Sequence, residues 1–121
     1  MALFNNNFDM LSRLLSAAEQ RQQVISHNIA NVNTPHYQRL ELRFEDALAE
    51  EIQRQRRGHS VGRPAETSIG LTPGLATRAD GNNVDIDKEI GQLNKNALLQ
   101  QTYLQLMGTE IEQMRRAMQG Q

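Results

Sequence analysis

The sequence predicts a mainly α-helical fold in which a long helix at each end of the chain carries a coiled-coil seam. A short middle helix and a Gly/Pro-rich loop lie between them. Apolar residues recur at alternating steps of four and three from Phe4 to Val32 and again from Ile86 onwards, which is the spacing of coiled coils. Residues 58–83 hold five of the eight glycines and two of the three prolines, a composition typical of loops.

Composition excludes several classes of protein. With 121 residues, of which 4% are aromatic, the chain has the length of one domain but few large side chains for a private core. The formal net charge is -1, and bases are interleaved with acids, so we expect no nucleic-acid partner. The lack of cysteine excludes disulfides, thiolate zinc sites and thiol catalysis. No apolar run approaches the roughly 18 residues of a membrane span, and the N-terminus does not resemble a cleavable signal peptide.

The first segment, residues 1–33, is predicted to be a coiled-coil helix running from near Asn5 to near Ala30. Leu14, Ala17 and Val24 widen its apolar stripe beyond the seam. An amphipathic helix within a monomeric bundle would show a similar pattern and is the alternative. The seam consists of Phe4, Phe8, Leu11, Leu15, Ala18, Gln22, Ile25, Ile29 and Val32.

The second segment, residues 34–57, is predicted to contain a turn, a short extended piece and a charged helix. Asparagines accumulate just before Thr34-Pro35, and the residue before a proline disfavours helix, so the first helix ends there. Leu40, Leu42 and Phe44 alternate with polar residues, as in a strand. The helix that follows is expected to keep its carboxylates exposed. The third segment, residues 58–83, is predicted to be a flexible loop with strand-like pieces at 68–71 and 75–77.

The fourth segment, residues 84–121, is predicted to be a second coiled-coil helix, capped by Asn83 or Asp85. Leu98, Leu99 and Leu106 fall outside its strict seam and indicate a second apolar contact surface. Two such helices could pair with each other, parallel or antiparallel, but further copies or partners would be needed to cover these leucines. The seam consists of Ile86, Ile90, Leu93, Ala97, Gln100, Leu104, Met107, Ile111, Met114 and Met118.

No arrangement of residues predicts catalysis, a cofactor, a metal site or a small-molecule substrate. His27 lies in a helix without a ligand at i+4, and His36 and His59 lie in turns, so structural or exposed roles are expected for all three. The serines of the first helix have no base at helical spacing. The glycines of the loop do not form a phosphate-binding motif. We therefore expect a protein that is not an enzyme.

Residues 26–37, SHNIANVNTPHY, resemble the N-terminal signature of the bacterial flagellar axial proteins (rod, hook and hook-associated subunits), whose general form is NNIANxNTPGY. The segment NNVDID and the helix after it are similar to the C-terminal signature of that family. The family usually has glycine where this chain has His36, so we expect a type I turn, which needs no positive φ. The family turn motif falls on Asn28, Asn31, Asn33, Thr34, Pro35 and Tyr37.

The segments FEDALAEEI and NNVDIDKEI look most like those of proximal rod proteins. The resemblance implies a structural subunit of the flagellar basal-body rod, whose two terminal helices pair as a coiled coil. It also implies helical assembly, with self-association and with other rod proteins, into a hollow drive shaft that spans the periplasm. The implied partners are the adapter protein of the rotor ring and the flagellar export gate, which would export the chain without a cleavable signal peptide.

Two groups of residues are then candidate sites. Phe4 and Phe8 match the short export element of early flagellar export substrates, although both also belong to the first seam. A soluble coiled-coil adaptor or an export chaperone is the alternative function that the two seams allow. The residues predicted to carry coiled-coil assembly are Leu11, Leu15, Ile25, Ile29, Ile90, Leu93, Leu104, Met107, Ile111 and Met114.

Overall fold

A computed structural model describes residues 2–58 and 64–120, with the backbone alone for residues 2–6. Its elements are α1 (Ala2–Ala30), β1 (Leu40–Arg43), α2 (Glu45–Arg56), β2 (Ser68–Leu71) and α3 (Ile86–Met118). The mainly α-helical fold with two long terminal helices is confirmed. None of the described helices combines the length and the apolar character that crossing a membrane requires.

The turn after α1 differs from the prediction. The N–H of Tyr37 donates to the carbonyl of Thr34 at 3.3 Å, and His36, the third residue of the turn, has φ 63°. A positive φ at this position is the mark of a type II turn, so the type I prediction is wrong. The backbone N–H of His36 donates to the carbonyl of Asp80 at 2.9 Å, and this long-range bond helps to hold the strained conformation.

The middle of the chain contributes a two-stranded antiparallel sheet. β1 pairs with β2 in a register that runs from Leu40 opposite Leu71 to Arg43 opposite Ser68. The predicted extended piece and the predicted strand at 68–71 are confirmed, whereas residues 75–77 do not form a strand. The Arg43 side chain crosses Gly70 and donates to the Leu71 carbonyl at 2.7 Å, so part of the predicted loop is bonded to β1.

α1 uses two faces. One face packs on β1 and α2 and buries a small apolar core of Ala17, Val24, Leu42, Phe44 and Leu48. Leu14 is partly buried against this core. The residues that widen the predicted stripe therefore meet elements of their own chain. The other face, which carries the predicted seam, meets α3.

An ion pair fixes α2 against α1. The Arg13 guanidinium donates to the Glu51 carboxylate at 2.6 Å, and the N–H of Ala65 donates to the same carboxylate at 2.9 Å. Glu51 is buried, so the expectation of exposed carboxylates on α2 is wrong at this position. The hydrogen bond from Arg13 holds the pKa of Glu51 below its ordinary value.

α3 packs antiparallel on α1. Asp85 caps its N-terminus by accepting from the N–H of Asp87 at 3.0 Å, as one of the two predicted caps. Near this end of α3, Glu89 meets Asn28. Further along α3, Asn96 meets Ala18 and Gln22, which come earlier in α1. The two chain directions are therefore opposite.

The side of α3 that faces α1 is rotated from the predicted seam. Leu93, Gln100, Met107 and Met114 belong to both seams and are half-buried. At the second heptad position of the seam the prediction is wrong. There the residue that faces α1 is the one immediately before the predicted residue in the chain. The observed positions are Glu89, Asn96, Tyr103 and Glu110, and the predicted Ile90, Ala97, Leu104 and Ile111 are exposed.

We expect Glu51→Gln to lower the free energy of unfolding by about 1 to 2 kcal/mol at neutral pH, because a charge-assisted hydrogen bond becomes a neutral one. The pKa of Glu51 is lower in the folded than in the unfolded chain. Its contribution to stability is therefore complete above the ordinary carboxyl pKa of 4.5 and is lost as the pH falls below it. In urea titrations, the free energy of unfolding should decrease less between neutral pH and this acid range in the variant than in the parent chain. The exposed neighbour Glu50→Gln is the control, and equal behaviour of the two variants would contradict the assignment.

Candidate functional site

The two family-like motifs meet where α1 ends and α3 begins. We call this cluster the polar corner; it consists of Asn28, Tyr37, Arg39, Asn82, Asn83 and Glu89. Asn28, Asn82 and Glu89 are 0% exposed. Buried polar groups are stable only where they are hydrogen-bonded, so the partners of these side chains define what the corner does.

Asn28 joins the end of α1 to β1. Its amide donates to the carbonyl of Leu40 at 2.8 Å, and its carbonyl oxygen accepts from the N–H of Leu40 at 3.0 Å. The Tyr37 hydroxyl donates to the same oxygen at 2.7 Å. Burial, followed by the negative charge of Glu89, raises the pKa of Tyr37, and the hydroxyl is protonated at neutral pH and acts as a donor. The Asn28 side chain thus acts like one residue of a neighbouring strand.

Asn82 closes the turn against the segment before α3. Its amide donates to the carbonyls of Asn31 and Thr34, each at 2.9 Å, and its side-chain oxygen accepts from the N–H of Val84 at 2.8 Å. Carbonyls at the C-terminal end of a helix lack partners within the helix. Asn82 supplies a donor to the Asn31 carbonyl and, through the same amide, fixes the turn at Thr34.

Arg39 and Glu89 form the charged part of the corner. Arg39 Nε donates to the Glu89 carboxylate, and the amide of Asn28 lies 3.5 Å from the other carboxylate oxygen. Arg39 also donates to the Thr72 hydroxyl at 2.8 Å, while its backbone N–H donates to Asn83 Oδ1 at 2.6 Å. Removing Arg39 would leave the fully buried charge of Glu89 without its ion-pair partner, which costs about 3 to 5 kcal/mol.

A second arginine bridges the two sides of the corner. Arg78 donates to the carbonyl of Val32, just after α1, and to the carbonyl of Val84, just before α3. Its backbone N–H donates to the carbonyl of Asn82 at 2.8 Å. The segment before α3 is therefore held by side-chain and backbone bonds together.

The structure places the predicted turn motif around this corner but not all within it. Asn28 is buried and Tyr37 half-buried, whereas Asn33 and Pro35 are exposed. Asn31 is half-buried and donates to the carbonyl of His27 at 2.9 Å, and its side-chain oxygen accepts from the Thr34 hydroxyl at 3.0 Å.

Sequence reasoning missed the other half of the corner. The available signal for Asn82 and Asn83 is the pair of asparagines before VDID, from which the sequence predicts a family-like segment and a candidate helix cap at Asn83 but no buried contacts. In the sequence, Glu89 is one of three acids near the start of α3, where negative charge favours the helix dipole. Nothing local distinguishes it from Asp87, which is exposed.

The predicted assembly residues fall into two groups. On α1, Ile25 is buried and Leu11, Leu15 and Ile29 are half-buried; on α3, Leu93, Met107 and Met114 are half-buried. Ile90, Leu104 and Ile111 are exposed on α3. Of the predicted export element, Phe8 is half-buried in α1, and the side chain of Phe4 lies outside the described residues.

The corner has few features of a reactive site. A cavity of 330 Å³ lies beside it, lined by Arg39, Thr72, Leu75, Ala76, Asn83, Asp85, Lys88, Glu89 and Gln92. Its buried charge, Glu89, is neutralised by the half-buried Arg39. In the described part of the chain there is no group of three side chains placed to hold a metal ion. The arrangement can hold two helices and a turn in one geometry.

We expect Asn82→Ala to lower the free energy of unfolding by roughly 2 to 4 kcal/mol, because it removes three hydrogen bonds of a fully buried side chain and leaves the N–H of Val84, just before α3, without an acceptor. Asn33→Ala, an exposed asparagine of the turn that Asn82 contacts, is the matched control and should change stability by less than about 0.5 kcal/mol. Urea denaturation followed by circular dichroism measures both. Similar values for the two variants would show that the corner does not depend on Asn82.

Comparison with known proteins identifies the family. The family model described as "Flagella basal body rod protein" matches residues 11–38, which include most of α1 and the turn. The chain is 32% identical to flagellar basal body rod protein FlgB of Aeromonas hydrophila, over 98% of this chain and 96% of the relative. It is 34% identical to FlgB of Escherichia coli (strain K12), over 87% of each, and 29% identical to FlgB of Bacillus subtilis (strain 168), over 99% and 98%. The chain therefore belongs to the FlgB family of flagellar basal body rod proteins, and it is a structural subunit of the rod and not an enzyme.

Proposed function

We propose that this rod subunit assembles helically with copies of itself and with other rod proteins through the apolar surface of α3 that α1 leaves uncovered. The product would be the hollow drive shaft joined to the rotor ring. The observation that supports this proposal is a row of exposed apolar side chains along α3. We call it the outer stripe; it consists of Ile86, Ile90, Ala97, Leu104, Ile111 and Met118.

The spacing of the outer stripe favours a helical partner. Ile90, Leu104 and Ile111 are separated by seven or fourteen residues, so they occupy one heptad position along most of α3. Their side chains are 46%, 56% and 51% exposed. Full burial of each would contribute up to roughly 1.5 to 3 kcal/mol. A row of this length and period matches the seam of another long helix. A neighbouring copy of this chain carries two such helices, α1 and α3.

A second apolar flank lies on the other side of the contact with α1. Leu99 is half-buried and Leu106 is exposed there. α1 therefore covers a strip in the middle of a wide apolar surface. A helix with uncovered apolar surface on both sides of its partner suits the interior of a multi-helix assembly better than a monomer or a two-helix adaptor.

We also propose an export route and two further partners. The chain would leave the cytoplasm unfolded through the flagellar export gate and would take its place in the rod across the periplasm next to the adapter of the rotor ring. Phe4 and Phe8 would be read during export. Because Phe8 is half-buried in α1, this reading would precede folding, and the same residue would later serve the helix pair.

The assembly surface is tested with Leu104→Asp. This side chain is exposed in the subunit, so we expect little change in helicity or melting temperature. A charge buried at the interface between subunits costs several kcal/mol, and we expect incorporation into basal bodies to fall more than about tenfold. Immunoblots of purified basal bodies measure incorporation. Gln105→Asp, one residue away and exposed, is the control. Normal incorporation of Leu104→Asp would contradict the proposal, and a discrete cytoplasmic complex would favour the adaptor or chaperone.

The export element is tested with the double variant Phe4→Ala/Phe8→Ala. We expect secretion to be lost while the cytoplasmic protein level is unchanged, because the export apparatus would no longer find two aromatic side chains at this spacing. Secretion is measured in a strain that releases rod subunits into the medium. Leu11→Ala/Leu15→Ala, which weakens the same helix seam, is the matched control and should still be secreted. If both double variants behave alike, Phe4 and Phe8 act only in the seam.

A further inference from the structure

α3 carries two competing seams for α1. Both contain Leu93, Gln100, Met107 and Met114. The observed seam adds Glu89, Asn96, Tyr103 and Glu110, and the alternative seam adds Ile90, Ala97, Leu104 and Ile111. Neighbouring residues of a helix are about 100° apart. The two seams share one of their two heptad positions and differ by one residue at the other, so the centre of the seam moves by roughly 50°, and exchanging the seams requires a rotation of α3 by that angle. Apolar burial alone favours the alternative seam, yet the structure turns the more polar one towards α1.

Directional hydrogen bonds select the observed rotation. Asn96 is 2% exposed, and its amide donates to the Ala18 carbonyl at 2.8 Å and to Gln22 Oε1 at 3.1 Å. Rotation to the alternative seam would carry Asn96 away from both acceptors. Glu89, one heptad earlier at the same position, is anchored by Arg39 and Asn28 in the polar corner. Two polar anchors thus lie on one line along α3.

Asn96 is placed for specificity more than for stability. Its side-chain oxygen is buried and has no hydrogen-bond partner among the described residues. A buried acceptor without a partner lowers stability. A single buried asparagine in a coiled-coil seam is known to fix register and oligomeric state at the expense of stability. The same reasoning applies here to the rotation of a helix.

We propose that Asn96 is a positioning residue that fixes the rotation of α3 on α1 and so keeps the outer stripe turned away from its own chain. Without it, the part of α3 that lies beyond the Glu89 anchor relaxes towards the alternative seam, and Leu104 and Ile111 pack on α1 instead of on a neighbouring subunit. The proposal rests on the proposed function in one respect, namely that the outer stripe is the surface used in assembly. The rotation itself can be measured without assembly.

The chain has no cysteine, so single cysteines report on the rotation directly. Leu104→Cys, Tyr103→Cys and Leu98→Cys are each made in the parent and in the Asn96→Ala background, and thiol labelling rates are measured on the full chain at concentrations where it is monomeric. Rotation to the alternative seam buries position 104 and exposes position 103. Position 98 is 64% exposed and stays on the solvent side in both rotations.

In the Asn96→Ala background we expect labelling at 104 to slow by about tenfold if the alternative rotation is populated to about 90%. Labelling at 103 should become faster, and at 98 it should not change. Asn94→Ala, an exposed asparagine of the same helix, is the matched control and should leave all three rates unchanged. Gln22→Ala removes one acceptor of Asn96 from the α1 side and should shift the rates in the same direction by a smaller factor.

Unchanged or faster labelling at 104 in Asn96→Ala would overturn the proposal, as would an increase at all three positions, which would indicate that α3 detaches instead of rotating. Labelling is measured on the isolated subunit, so this failure is independent of the basal-body experiment with Leu104→Asp. Conversely, normal incorporation of Leu104→Asp would remove the outer stripe from assembly and leave the rotation result standing.

Discussion

The fold depends on the burial of paired polar groups where the two terminal helices meet. Glu89 is fully buried between Arg39 and Asn28, and Asn82 is fully buried between the turn and the start of α3. A buried charge or amide is tolerated only with its partners in place. The requirement is mutual: α1, β1 and α3 each contribute groups that the others need. The end of one helix, the direction of the strand and the start of the other helix are thereby set together.

The apolar core by itself is too small to fix how the helices are positioned and rotated against each other. It consists mainly of alanine, valine, leucine and one phenylalanine between α1, β1 and α2, and much of the apolar surface of α3 is left exposed. Apolar burial is non-directional, so a narrow core of small side chains does little to choose among helix rotations. The polar corner and the Arg13–Glu51 ion pair supply the directional bonds. Such a subunit suits an assembly in which neighbours provide the remaining burial.

The turn shows how long-range bonds can override a local preference. A histidine with φ 63° is unfavourable by itself, and a glycine would adopt this conformation without strain. The backbone bond from His36 to Asp80 and the fit of its ring against Gly81 hold it there. A Cβ at residue 81 would lie 2.6 Å from His36 Nδ1, and the φ of Gly81 is itself +83°. Residue 81 therefore has to be glycine, because the His36 ring occupies the space that a side chain at residue 81 would need.

The sequence by itself determined the elements and their order. Heptad spacing predicted both long helices, alternation predicted β1, and the asparagines before a proline predicted where α1 ends, because each of these signals is local in the chain. The rotation of α3, the burial of Glu51 and Glu89, and the type of turn at His36 were decided by the tertiary structure. They depend on bonds such as Asn28 to Glu89 and Asn96 to Ala18, which join residues 61 and 78 positions apart. Apolar periodicity could not choose between two seams that share half of their residues, and hydrogen bonds to distant partners could.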